Sequence, residues 1–210
     1  VTEDMRFALL RKTQEKPDDV MFAELLVWFA LQMKDYEIAL NQEIAIDRRL
    51  NDREYDIIYL ARIARDNEQY DIAINAYDYL IKKSKEGAFY PEAVVGLTEV
   101  EYINSEYDNS EFEKRIENEC QELGINDMTI PILIIRTDIL AFRLKETEKA
   151  IELLNNTLEL NISRLNKAKL KMKLADIYLF NEEVWDATLL YRQVDKSTIE
   201  EPIGHEARFK

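Results

Sequence analysis

Glycine and proline are scarce in this chain, four of each among 210 residues. An all-β sandwich or barrel reverses direction about every ten residues and draws on those residues at its turns. So small a stock excludes that architecture and leaves long helices with short connections. Cysteine is nearly absent too. Cys120 stands alone, so no internal disulfide forms and stability must come from packing; a single cysteine assigns no compartment. His205 is the only histidine, which excludes His-pair zinc sites and any catalysis that needs two imidazoles. The glycines, Gly87, Gly96, Gly124 and Gly204, are too widely spaced to cradle a phosphate.

Clustered positive charge is missing as well. The formal net charge is -14 and the isoelectric point is near 4.7. Nucleic acid and anionic membrane surfaces are bound through grouped cations, so both are excluded as expected partners. No apolar run is long enough to span a bilayer. Val20 to Met33, with Glu24 as its single charge, covers 14 residues, whereas a spanning helix needs about 20. The run reads as a helix buried on most sides. No leader or anchor is recognisable, and Val1 in place of Met leaves the start of the protein open.

Apolar residues make up 47% and charged residues 33% of the chain, a globular balance, and one phrase occurs twice. Residues 35–41 read Asp-Tyr-Glu-Ile-Ala-Leu-Asn and residues 69–75 read Gln-Tyr-Asp-Ile-Ala-Ile-Asn. The same offset of 34 residues sets Tyr36 on Tyr70, Ala39 on Ala73, Ile38 on Ile72, Asn41 on Asn75 and Ala30 on Ala64. A fixed period of about this length marks a stacked repeat. The pattern resembles the tetratricopeptide repeat (TPR) family, whose unit is a helix-turn-helix. The resemblance implies an all-α, right-handed αα superhelix of about five helix pairs with partial helices at both ends.

Taken in order, residues 1–17 read as the second helix of a truncated unit, with Thr2 as its cap and Pro17 in the slot where such units place proline before the next helix. Residues 20–53 form a first unit with Ala23, Ala30 and Ala39 as close-approach positions and Leu26, Tyr36 and Ile46 filling the gaps. Residues 54–87 form a second, with Ile57, Leu60, Ala61, Ala64, Tyr70, Ala73, Tyr77 and Leu80 inward. Residues 88–125 read as a degenerate pair without the tyrosine and alanine signature, Pro91 opening one helix and Gly124 closing the other. Residues 129–163 form a fourth unit, opened by Pro131 and carrying Ala150 in the slot of Ala39. Residues 164–200 form a fifth, with Leu174, Ala175 and Tyr178 on one helix and Val184, Trp185, Ala187 and Tyr191 on the other. Residues 202–210 read as the start of a truncated unit.

No chemistry-bearing constellation stands out. His205 reads as a surface residue, and Cys120, on a face with Phe112 and Ile116, as a buried thiol. Forty-two carboxylates make pairs such as Glu111 and Glu113 uninformative. Asn155-Asn-Thr157 and Asn161-Ile-Ser163 match the glycosylation sequon, a pattern short enough to arise by chance. No catalytic residue, metal or cofactor is expected.

The resemblance implies a concave groove lined by the first helix of each unit. Projected through the repeat, its lining is Met21, Trp28 and Leu31; Tyr55, Ile58, Arg62 and Arg65; Ile132, Ile135, Ile139, Phe142 and Arg143; then Met172, Leu179 and Phe180. Such a stripe suits an amphipathic helix or apolar peptide with a carboxylate anchored by arginine. Its alternative is that the stripe is core. Glu24 and Trp28 stand where one subfamily grips chaperone tails with Lys and Asn, which disfavours that ligand. The expected function is a non-enzymatic scaffold with a protein or peptide partner. A structural, self-associating segment using its terminal helices is the first alternative, and an enzyme on a helical scaffold the remote one. The unfinished terminal helices, without capping elements, point to a fragment of a longer protein; the acidic, glycine-poor style is similar to repeat proteins of the Bacteroides group and points to the cell envelope, with the cytoplasm left open.

Overall fold

The computed structural model describes residues 2–16, 19–104 and 106–210, the backbone alone for Thr2 and Glu3. The slot of Pro17 therefore lies outside the described residues. Among those residues there is no strand, and the chain divides into two compact units, Val1–Ser105 and Glu106–Lys210.

The first unit contains helices α1 (Thr2–Glu15), α2 (Val20–Gln32), α3 (Tyr36–Leu50), α4 (Glu54–Asp66), α5 (Tyr70–Lys83) and α6 (Tyr90–Asn104). The offset of 34 residues carries the start of α2 onto α4 and of α3 onto α5. Each helix packs on its sequence neighbour. The alanine slots are closed: Ala23, Ala30 and Ala39 cluster with Val27, Tyr36, Ile46 and Leu60. Ile57, Ile58, Ala61, Ala64, Ala73, Tyr77, Ala93 and Val100 form the next cluster. Gly96 permits that second packing, because a Cβ there would lie 2.4 Å from the Tyr77 ring.

A polar tie fastens α3 to α5. Asp47, buried on α3, accepts hydrogen bonds from Lys83 Nζ at 2.7 and 2.9 Å, from the Tyr79 hydroxyl at 2.8 Å and from the Arg53 backbone N–H at 2.8 Å. Burial pushes its carboxyl up, but those bonds outweigh it and hold the group below the usual aspartate range.

The second unit contains α7 (Asn109–Leu123), α8 (Ile130–Asp138), a π-helical turn (Ile139–Arg143), α9 (Thr147–Leu158), α10 (Arg164–Phe180), α11 (Val184–Ser197) and α12 (Pro202–Phe209). Pro131 sits in the first turn of α8 and Pro202 in that of α12, where a missing N–H costs nothing. Gly124 closes α7 at a positive φ of 72°. Ala150 is fully buried, as are Ala175 and Ala187. At the start of α11, Val184 and Trp185 are exposed, Trp185 at 88%, while Ala187 and Tyr191 on the same helix are buried.

Scarce glycine is accommodated at the turns by other residues. Lys34, Glu68, Lys145 and Glu182 each lie two residues before a second helix and adopt positive φ of 57–66°. At three of these turns the same crossed pair of bonds recurs. Asp35, Gln69 and Glu183 donate to Ala30, Ala64 and Tyr178 at 2.8 Å, and the residue before each donates to the carbonyl three back. At Lys145 the bond spans one residue more, Glu146 donating to Leu140, six back, at 2.7 Å. The π turn accounts for that extra residue: Leu144 donates to Ile139, five back, at 2.9 Å.

Candidate interaction face

In the first unit, α2 and α4 present matching outward positions. Met21, Leu25 and Trp28 lie one helical turn apart on α2, and Tyr55, Tyr59 and Arg62 take the same positions 34 residues later on α4. All five apolar members are exposed, Trp28 at 58% and Tyr55 at 60%. Leu25 and Tyr59 are additions to the sequence reading, and the repeat that picked Met21 and Tyr55 would have found them one turn on. Leu31 is half-buried. Ile58, which shares the α4 sequence stretch, is fully buried in the cluster with Ala93 and Val100 of α6. The Tyr55 ring leans on Phe89 at 6.2 Å.

The arginines of this face are engaged within the unit. Arg62 makes a two-pronged contact to Glu92 of α6, Nε to Oε1 at 2.5 Å and Nη2 to Oε2 at 2.6 Å. Arg65 reaches Glu99 at 3.2 Å and Asp66 at 3.1 Å. Arg53, at the start of α4, serves three carboxylates: Glu24 of α2, Asp52 and Asp56, the last two at 3.4 Å. Behind it, Glu43 of α3 is buried, and its Oε2 accepts no hydrogen bond. Burial pushes the Glu43 carboxyl up to about 7; Asp56, Glu24 and Asp47 add to that and Arg53 opposes it.

In the second unit the projected residues divide in the same way. Ile132, Ile135, Ile139 and Met172 are buried, whereas Leu179 and Phe180 are exposed, Arg143 is exposed and Phe142 is half-buried. Phe142, carried by the π turn, meets Phe180 edge to face at 5.1 Å, and Lys173 lies 5.8 Å above its ring while pairing with Asp138 at 2.6 Å. Cys120 is buried and its thiol is pushed up to about 11 by that burial, which removes its nucleophilic form at neutral pH. His205 is exposed. Among the described residues no cluster of His, Cys, Asp and Glu has metal-binding geometry, and no helix is long and apolar enough to cross a membrane.

No protein-family model matches the sequence, and no curated protein sequence matches it significantly. Solved structures do match its fold. YrrB, a TPR protein with an unusual peptide-binding site, aligns with a TM-score of 0.57 at 12% identity, over 97% of this chain and 98% of that one. A tetratricopeptide repeat protein of Parabacteroides merdae aligns with a TM-score of 0.54 at 13% identity, over 98% of this chain and 77% of that one. Yeast Tom70 aligns with a TM-score of 0.58 at 15% identity over 97% of this chain, which spans 41% of the Tom70 chain. The chain has the all-α, TPR-like αα-solenoid fold.

Proposed function

We propose that this protein is a non-enzymatic interaction scaffold and that the outward face of α2 and α4 docks an apolar segment of a protein partner. The observation that carries this reading is the register: Met21, Leu25 and Trp28 on one helix and Tyr55 and Tyr59 on the next expose large apolar side chains at repeat-equivalent positions. Large apolar side chains exposed in register are the kind of surface that interaction sites use, and Trp and Tyr are the residues that anchor them. Leu31 borders the face. The likeness to TPR proteins, among them one with a peptide-binding site, adds support from fold analogy. Phe142, Leu179, Phe180 and Arg143 form a smaller exposed group on the second unit and are proposed as a secondary contact. Ile58, Ile132, Ile135, Ile139 and Met172, being buried, hold up the helices behind these surfaces.

The test is capture from a lysate of the source organism by the wild-type chain and by a Trp28→Ala/Tyr55→Ala variant that melts cooperatively. A partner captured by the first and lost by the second supports docking on this face; equal capture by both refutes it.

A second reading, self-association, is favoured by Trp185 and Leu189 on α11 and Phe209 on α12, all exposed. A mass by light scattering that rises with concentration and reverts in Trp185→Ala would support it; a constant monomer mass would count against it.

A further inference from the structure

We infer that the segment docked on α2 and α4 is apolar on one side and basic on the other, its Lys or Arg side chains meeting the carboxylates that rim the face. This rests on the docking reading above and adds the charge of the partner. The sequence alone, with Arg62 and Arg65 standing in an apolar stripe, had suggested the opposite sign, a partner carboxylate held by arginine. The contacts made by Arg62 and Arg65 favour the other sign. Arg62 is bound at both prongs by Glu92 and Arg65 by Glu99, so recruiting either to a partner means breaking a contact already made. The carboxylates around Arg53 outnumber their partner. Glu24, Asp52 and Asp56 share the single guanidinium of Arg53, and their side chains remain 49%, 58% and 41% exposed.

Placement joins the charge to the apolar face. Glu24 lies one turn from both Met21 and Trp28, and Asp56 one turn from Tyr59. A cation brought to these carboxylates would also lie within reach of the Trp28 and Tyr59 rings, and aromatic faces attract ammonium and guanidinium groups. Glu43, buried behind Arg53, adds negative character when ionised. A second copy of the same face is a poor occupant, because it would set one acidic rim against another.

The experiment uses two synthetic peptides of about 18 residues, five helical turns, with the same leucine face and with either lysine or glutamate on the other. Each carries a fluorophore and is titrated by anisotropy with the full chain, its Trp28→Ala/Tyr59→Ala variant and its Glu24→Gln/Asp56→Asn variant, all checked for cooperative melting. The lysine peptide is expected to bind at least about tenfold tighter than the glutamate peptide, with the gap narrowing as salt rises. Both variants are expected to weaken it several-fold. Equal or tighter binding of the glutamate peptide, still dependent on Trp28 and Tyr59, overturns the charge assignment and leaves the docking face standing. Failure of both peptides to bind, or binding of the lysine peptide that ignores Trp28 and Tyr59, overturns both.

Discussion

Lys34 and Glu68, 34 residues apart, hold the same left-handed backbone conformation, with φ of 57° and 60°. Each closes a helix with the same crossed hydrogen bonds, in a position that L side chains adopt at a cost of about 1–2 kcal/mol. Glycine avoids that cost and gives back part of it through the freer unfolded chain. Lys34→Gly and Glu68→Gly are each expected to stabilise the first unit by roughly 0.5–1 kcal/mol, raising the midpoint of a thermal melt by about 1–4 °C. A lowered midpoint would contradict the turn geometry.

Asp47 is the acceptor of the buried tie between α3 and α5. Asp47→Ala removes three hydrogen-bonded contacts and leaves the Lys83 ammonium, whose side chain is only 15% exposed, with Glu54 at 3.1 Å as a remaining partner; it is expected to cost roughly 2 kcal/mol in urea unfolding. Removing the half-compensated charge as well, in Asp47→Ala/Lys83→Met, should recover a measurable part of that loss. No recovery would show that the pair is not coupled.

Glu43 predicts an unusual pH dependence. Its carboxyl is raised in the fold to about 7 from an ordinary 4.5, so the folded chain binds the extra proton between those values. Stability from this group therefore falls as pH rises from about 4.5 through 7 and stays low above that. Glu43→Gln removes the ionisation. The variant is expected to gain on wild type by roughly 2 kcal/mol at pH 8 relative to pH 5, read from urea midpoints. A gain independent of pH would place the Glu43 carboxylate in water.

Gly96 faces the Tyr77 ring at a distance no Cβ can share. Gly96→Ala is expected to destabilise by roughly 1–3 kcal/mol through overpacking, and Tyr77→Leu in the same chain to relieve part of it. An unchanged melt for Gly96→Ala would mean that α5 and α6 separate freely.

The period was the most legible feature of the sequence. Tyr36 and Tyr70 do begin α3 and α5, and Ala23, Ala30, Ala39, Ala61, Ala64 and Ala73 are buried. The surface was partly legible, since Met21, Trp28 and Tyr55 came from register alone. Ile58 and Ile132 came from the same projection and are buried, because apolar character does not tell an outward position from one that a neighbouring helix covers. The turns were hidden for a different reason: Lys and Glu give no sign of positive φ, as glycine would. The partners of Arg62 and Arg65 lie 30 and 34 residues away, a separation that only folding closes. Trp185 lies on α11 and is exposed, and its place in the repeat does not tell which side of the helix faces solvent.

Docking on α2 and α4 would shield their amides from solvent. Hydrogen–deuterium exchange of the full chain, with and without a captured partner or the bound lysine-faced peptide, tests it most directly. Added protection is expected to concentrate in the segments of α2 and α4 that carry Met21 to Trp28 and Tyr55 to Arg62. Protection concentrated on α11 and α12, with α2 and α4 unchanged, would contradict it.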